Sequence, residues 1–293
     1  MPVLLKILSI VIPVFSIIGI GYFFASVKKI SLDPIIDLLL YITIPALVLS
    51  SLLGKKLVPT DLVMVGASAC AVVLGVGLLS YIYLYVTRQR EMKGFYLPTM
   101  FMNSGNMAFP LALLAFGEEG LAVSILYYIT VGILVSSLGI YIAKGKGGFG
   151  EIFKMPLIYA AILGVSLNLL SVKLPAPALS TLEILGAATI PVMQLSLGYR
   201  LYSTRFSHLG LSISGSVIRI GGGLLIAYAI TALFGIEGVN RKVIILSSAM
   251  PSAVINFIIS HKYNLQSELV ASIIATSTLA SLITIPILLY FLI

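Results

Sequence analysis

Charge is scarce in this chain: Asp, Glu, Lys and Arg make up 10% of its 293 residues, while 59% are hydrophobic and the mean hydropathy is +1.13. A water-soluble globule needs charge over much of its surface, which this sequence cannot supply, so the surrounding medium is mostly lipid. Cysteine is almost absent. Cys70 stands alone in an apolar run, which excludes an internal disulfide, a Cys-x-x-Cys pair and a cysteine-based metal site. The two histidines, His208 and His261, lack ligand spacing, so no metal centre is expected. There is no P-loop, no G-x-S-x-G and no visible nucleophile–base pair, which argues against a self-contained ATP-driven pump and against an intramembrane enzyme. No cofactor is implied. Acid is also short relative to base, with 10 Asp and Glu against 18 Lys and Arg. No basic cluster interleaves with aromatics, so nucleic acid is not an expected partner; basic loops on the cytoplasmic face of a membrane account for the excess.

What the chain does have is long apolar runs. A bilayer core of about 30 Å needs about 20 helical residues, and ten spans of that size fit. They are expected near 3–25, 33–53, 61–87, 94–116, 119–143, 155–172, 177–201, 208–234, 241–260 and 266–292. The first run carries only Lys6 and no clear small-residue cleavage site, which reads as a retained span rather than a signal peptide. The odd-numbered loops hold Lys28, Lys29, Arg88, Arg90, Lys93, Lys144, Lys146, Lys154, Arg200, Arg205 and Lys262. The even ones hold Lys55, Lys56, Lys173, Arg241 and Lys242. The bias puts the odd loops in the cytoplasm and both termini on the outer face of the cell membrane. Gly145–Gly150 matches G-x-G-x-x-G but follows no strand, and reads as a flexible basic loop.

Residues 37–50 lie over 183–196 at a constant offset of 146. Thr43-Ile44-Pro45 recurs as Thr189-Ile190-Pro191, Leu49-Ser50 as Leu195-Ser196, and Asp37 is matched by Glu183. Thr, Pro, Ser and an acid in register are not cheap coincidences in so apolar a sequence. The chain is therefore expected to be an all-α membrane protein of two five-helix halves, residues 1–143 and 155–293, joined by a short cytoplasmic loop at 144–154. Because five is odd, the second half enters from the opposite side, an inverted-topology repeat of the kind used by transporters.

The fourth span of each half carries a polar break. One contains Asn103, Ser104, Asn106 and Pro110; the other contains Pro251, Ser252 and Asn256. Proline removes a backbone donor and clashes with the carbonyl four residues earlier, so each span should open there and expose polar backbone that lipid cannot satisfy. Such backbone is tolerable when buried in protein or lining a cavity, where Asn103, Ser104, Asn106, Ser252 and Asn256, with Arg219, are expected to bind substrate, and half-helix N-termini at the midplane would attract an anion. Ordinary proline kinks with Asn and Ser bonding between helices are the plainer alternative. Arg219 falls about 12 residues, or about 18 Å, into the eighth span. A carboxylate substrate, an acidic side chain or helix-end carbonyls would each serve as its counterpart. Gly221–Gly223 beside it would permit close helix approach. Asp37 and Glu183 sit near helix starts, with Ser180–Glu183 fitting a capping box, and a proton- or ion-coupling role is the functional alternative for the two acids. Pro45 and Pro191 are expected to bend scaffold helices.

At these residues the chain resembles the auxin efflux carrier family, within the wider bile acid and auxin carrier group, whose members include plant carriers and bacterial malate or malonate permeases. The Asn103 to Pro110 spacing is similar to that family's fourth-helix crossover. Pro251 with Phe257, Lys262-Tyr263-Asn264 and Ile285-Pro286 resembles its ninth and tenth helices, and Arg219 with Gly222 and Gly223 its eighth. The resemblance implies ten helices, crossed fourth and ninth, a scaffold of helices one, two, six and seven, and elevator-like alternating access. Where plant members carry a second proline in the ninth helix this chain has Asn256, and their long hydrophilic loop is reduced to Lys144–Lys154. The resemblance therefore carries over neither auxin as substrate nor phosphorylation control.

The function expected from the sequence is secondary transport of a small organic anion, a carboxylate, by a homodimer in membrane lipid, with proton or sodium as the coupling ion. The rivals are a passive uniporter or channel of the same fold, a sodium-coupled bile-acid-type symporter, and an intramembrane enzyme.

Overall fold

Where apolar runs are long, the chain is helical. The computed structural model describes residues 3–54, 58–146, 149–202, 204 and 206–293. Lys55, Lys56 and Arg205 of the charge bias, and Gly147 and Gly148 of the glycine loop, lie outside the described residues. Among those described there is no β-strand, and seven helical segments are long and apolar enough to cross a membrane. They are Val3–Val27, Asp33–Leu53, Pro59–Val86, Ala108–Lys144, Ala176–Tyr202, Leu209–Leu233 and Ser267–Leu292. Proline opens several helices from the first turn, as at Pro34, Pro59 and Pro156, where its missing N–H costs nothing. Outward-facing Phe23, Val86, Ile184 and Leu233 are exposed, as lipid-facing side chains must be.

Three expected spans depart from that length. The sixth is Pro156–Leu169, ending before the expected 172. The fourth is split into Tyr96–Met100 and the helix from Ala108, and the ninth into Gly238–Ser248 and Ile255–Lys262. The expected gap between the fourth and fifth spans falls at Gly117, whose φ of 70° and ψ of −164° turn the 37-residue segment Ala108–Lys144. Glycine adopts that conformation without a Cβ penalty. The capping box at Ser180–Glu183 is not formed: the helix already starts at Ala176, and the Thr181 hydroxyl donates to the Pro177 carbonyl within it. Pro177 in the first turn sets the start instead.

Both Thr-Ile-Pro sites coincide with irregular helix. A π-helical turn, Leu39–Thr43, precedes Pro45, and the helix pauses at Ala188 before Thr189–Tyr202 and Pro191. Thr43 Oγ1 and Thr189 Oγ1 are both buried without a hydrogen-bond partner among the described residues.

Packing falls mainly into two groups. In one, Val3–Val27 lies along Thr189–Tyr202, and Ile44–Leu53 contacts Pro156–Leu169 and Ala176–Ala187. Gly21 and Gly198 permit the first contact, because a Cβ on either would collide with the partner's backbone at Leu195 or Ile18. In the other, Pro59–Val86, the two split segments, Ala108–Leu134, Leu209–Leu233 and Ser267–Leu292 pack together.

Candidate functional site

The two split segments meet at their gaps. Phe101 is extended at φ −106° and ψ 108°, and Met102 and Ser252 form an isolated antiparallel bridge. The Asn103 amide N–H donates to the Pro251 carbonyl at 2.7 Å, and that of Ala253 to the Phe101 carbonyl at 3.1 Å. Each break thus satisfies part of the other's freed backbone, the requirement lipid imposes. Pro110 lies in the first turn of the helix from Ala108 and Pro251 within the second gap, so the first break opens just before its proline.

Asn256 reinforces this pairing. Its Nδ2 donates to the Phe101 carbonyl at 2.9 Å and to Ser252 Oγ at 3.1 Å, while the Ser252 amide donates to Ser277 Oγ at 3.1 Å. Both side chains are fully buried. Asn103 folds back on its own loop, its Oδ1 accepting from the Asn106 amide, and Asn106 Nδ2 donates to the Met193 carbonyl. Asn103 Nδ2 is buried with no partner among the described residues.

Arg219 has helix-end carbonyls as its counterpart. Its Nη1 donates to the Thr99 and Met100 carbonyls at 2.7 Å each and its Nη2 to the Ser248 carbonyl at 2.8 Å. Thr99 and Met100 end the first half-helix and Ser248 ends the corresponding half-helix of the second break. A helix C-terminus carries roughly half a negative charge, so two such ends match one guanidinium. The side chain is completely buried, in a π-helical turn at Ile218–Gly222. Gly223 then lets its helix touch the Ser248 carbonyl and the Arg219 guanidinium, a contact that a Cβ would block; Gly221 makes no such approach. The network extends through Ser248 Oγ to the Tyr127 hydroxyl at 2.8 Å, and through Thr99 Oγ1 to Ser80 Oγ at 2.8 Å.

On the other side of the breaks lies a cavity of about 480 Å³. Asn103, Ser104, Gly105 and Asn106 line it from the first break, and Ala253, Val254 and Ile255 from the second. Tyr128, Met193 and Ser196 form further wall, with Leu39–Tyr41 from the π-helical turn. The helix from Ile255 begins at this cavity and the one from Ala108 starts two residues after Asn106, which lines it, so their positive ends lie on the cavity side while their partners' negative ends are held by Arg219. Glu151, Lys154, Arg200 and Lys262 also line it. Lys154 donates to Glu151 at 3.0 Å, and that bond holds the Glu151 carboxyl below its ordinary range.

Of the residues singled out in the sequence, Asn103, Ser104 and Asn106 share the cavity; Ser252, Asn256 and Arg219 brace the breaks behind it. Asp37 and Glu183 are exposed and line neither this cavity nor its neighbour. Sequence reasoning passed over Tyr127, Tyr128 and Met193. The Tyr pair inside an apolar run, and the position of Met193 just after the repeated Thr-Ile-Pro, were the available signals. Among the described residues no group of His, Cys, Asp and Glu could hold a metal ion.

Comparison with known proteins finds membrane transporters. The family model described as membrane transport protein matches residues 149–289. An uncharacterized transporter of Methanocaldococcus jannaschii is 28% identical over 300 residues, covering 95% of this chain and 96% of the relative. Another, from Methanothermobacter thermautotrophicus, is 30% identical over 261 residues and 84% of each chain. A probable auxin efflux carrier component 3b of Oryza sativa subsp. japonica is 24% identical over 139 residues, 45% of this chain and 24% of its own. A polytopic helical chain, two interrupted segments paired at a cavity, and relatives matched along most of the length lead to one assignment: the chain belongs to the membrane transport protein family and is a multi-span membrane transporter.

Proposed function

We propose that the protein is a secondary transporter for a small organic anion, a carboxylate, bound in the cavity between the two interrupted segments. The observation that carries this reading is the unpaired amide donor of Asn103, buried at a cavity onto which the N-terminal ends of two helices open. Lys154, Arg200 and Lys262 line the same cavity against the single acid Glu151, so its field favours negative charge. Asn103, Ser104 and Asn106 contact the substrate. Ser252, Asn256 and Arg219 hold the breaks in register from behind, and Pro110 and Pro251 shape them.

The same reading takes the chain as ten spans in a 5+5 inverted repeat, with the fourth and ninth crossing at the Met102–Ser252 bridge. The packing group containing Val3–Val27 and Pro156–Leu169 is the scaffold, and the group containing both breaks moves against it, elevator-like, in a homodimer. Both termini lie outside. On a background lacking Cys70, a cysteine at position 146 should react only with permeant reagent in intact cells, and one at 173 with impermeant reagent; the reverse pattern overturns the orientation. Asp37 and Glu183 stand as coupling candidates through their repeat correspondence alone.

The test is reconstitution into liposomes with a panel of mono- and dicarboxylates, imposing proton and sodium gradients separately. Carboxylate accumulation driven by one of these gradients supports the reading. Flux that only runs downhill makes the protein a uniporter or channel, and preference for matched cations over carboxylates overturns the anion assignment.

A further inference from the structure

The helices Pro59–Val86 and Leu209–Leu233 pack side by side, with Gly75 against Ile226 and Gly222 against Leu79. The order reverses between the two contacts, so the pair is antiparallel, and the end at Val86 and the start at Leu209 share one membrane edge. Leu78 and Gly221 each precede a contact residue by one position, about 100° around the helix. In an antiparallel pair, equal rotations of that sense turn both toward the same side. Ile82 and Val217, one turn closer to the shared edge, continue that side. Leu78, Ile82 and Val217 are exposed, and a Cβ on Gly221 would meet nothing outside its own helix within 4 Å, so an open apolar groove runs between the two helices. Glycine weakens a helix interior, and no protein neighbour requires it at Gly221. A ligand lying in the groove would.

At the shared edge, the loop after Val86 carries Arg88 and Arg90. Both are exposed, and neither has an ion-pair partner among the described residues. Arg88 holds a φ of 58°, a left-handed conformation that glycine or asparagine adopts more easily. The Arg90 guanidinium carbon is 3.8 Å from the centre of the Tyr85 ring, which restricts the side chain without neutralising its charge. The loop itself is tied down from the other half of the chain. Gln266 Nε2 donates to the Glu91 carbonyl at 2.9 Å, and the Gly94 amide donates to Gln266 Oε1 at 2.6 Å. Glu91 is the one acid between Thr87 and Lys93, against Arg88, Arg90 and Lys93. An apolar groove thus ends in a fixed loop with a surplus of positive charge.

We infer that this groove holds an anionic phospholipid, with an acyl chain along Leu78, Ile82, Val217 and Gly221 and the phosphate at Arg88 and Arg90. Charge decides the occupant. A second copy of the chain docked on the same face about a twofold axis would bring two pairs of unpaired arginines together, and a zwitterionic lipid offers a phosphate already balanced by its own amine. Arg219 stands two residues from Gly221 in the π-helical turn, so the lipid lies along the outer side of the helix that braces the two breaks. The inference rests on the multi-span membrane assignment and not on the substrate reading of the central cavity.

The chain contains no tryptophan, so Val217→Trp supplies a single reporter facing the groove. The full chain is reconstituted into bilayers of mixed phosphatidylcholine and phosphatidylglycerol, one or the other dibrominated on its acyl chains, and the quenching gives the relative affinity of the two lipids. Phosphatidylglycerol should be favoured at least about fivefold at this reporter. At Ile283→Trp, an exposed position on Ser267–Leu292, the two lipids should be nearly equal. Arg88→Gln with Arg90→Gln should bring the preference at Val217→Trp to near unity. Gly221→Leu, whose Cβ enters open space, should lower it several-fold by excluding the acyl chain; it leaves both arginines in place and so guards against a defect in the loop. An equal preference at both reporters would show a general surface charge and overturn the inference. Dependence on the arginines with no effect of Gly221→Leu would mean headgroups gathering at the edge with no lipid seated, and overturns it as well. Quenching at Ile283→Trp but by neither lipid at Val217→Trp would mean that a second copy covers the face, a third contradiction. Carboxylate flux in liposomes, present or absent, bears on the substrate reading alone.

Discussion

The two breaks carry similar residues and use them differently. In the first, the polar side chains Asn103, Ser104 and Asn106 line the cavity, and an amide donor is left unpaired there. In the second, Ser252 and Asn256 are turned into the protein, where Asn256 ties the two gaps together, and the cavity receives only Ala253, Val254 and Ile255. In the proposed reading the first break recognises the substrate, and the second braces the pair. Two interrupted helices must pair their gaps without leaving backbone unsatisfied in lipid, and the hydrogen bonds between Asn103 and Pro251 and between Ala253 and Phe101 do this. Polar groups used to tie the two gaps together are unavailable to a ligand.

The largest effect expected from disturbing this arrangement is at Arg219. Arg219→Gln cannot reach three carbonyls on two half-helices and leaves buried acceptors unmet, a loss of about 3–5 kcal/mol. It should appear as a lowered thermal unfolding midpoint in detergent, with residual transport showing unchanged preference for carboxylates over neutral analogues. A selective loss of anion preference in a fully stable variant would instead place the guanidinium on the substrate. Gly223→Ala comes next. Its methyl meets the Ser248 carbonyl and the Arg219 guanidinium, so about 1–3 kcal/mol of destabilisation is expected, with the second break displaced. Tyr127→Phe removes one hydrogen bond to Ser248, worth about 0.5–1.5 kcal/mol, and should lower the unfolding midpoint slightly without altering half-saturation. Glu151→Gln is the smallest change. Removing the one acid at the cavity should improve half-saturation for carboxylates modestly at low salt, and the gain should vanish as salt is raised.

Much of this was legible in the sequence. Apolar runs located the helices. Both breaks were located by Asn103-Ser104-Gly105-Asn106 with Pro110, and by Pro251 with Ser252 and Asn256, because proline and small polar residues clustered in an apolar run weaken the helix at that point. Arg219 was flagged by its depth, yet sequence could not choose between a carboxylate and helix-end carbonyls. That choice depends on which helix ends its own helix passes, and so on long-range packing at Gly223. The split of roles between Asn103 and Asn256 was hidden for the same reason: both are asparagines at helix breaks, and only the direction of each side chain separates them. Short helices such as Pro156–Leu169 were overextended, since hydrophobicity continues past the point where the chain turns. The false capping box at Ser180 shows a local motif overridden by a stronger start signal at Pro177.

The division between recognition and bracing stands or falls on Asn103→Ala and Asn256→Ala compared side by side, each measured for thermal unfolding and for the substrate dependence of carboxylate uptake in liposomes. Asn103→Ala should raise half-saturation roughly five- to hundredfold, with a smaller drop in unfolding midpoint than Asn256→Ala because it also removes the bond from the Asn106 amide. Asn256→Ala should instead lose about 1–3 kcal/mol of stability, with half-saturation little altered in the protein that remains folded. The opposite pairing, with Asn256→Ala stable but weak in half-saturation and Asn103→Ala unstable, would contradict the assignment of recognition to the first break and bracing to the second.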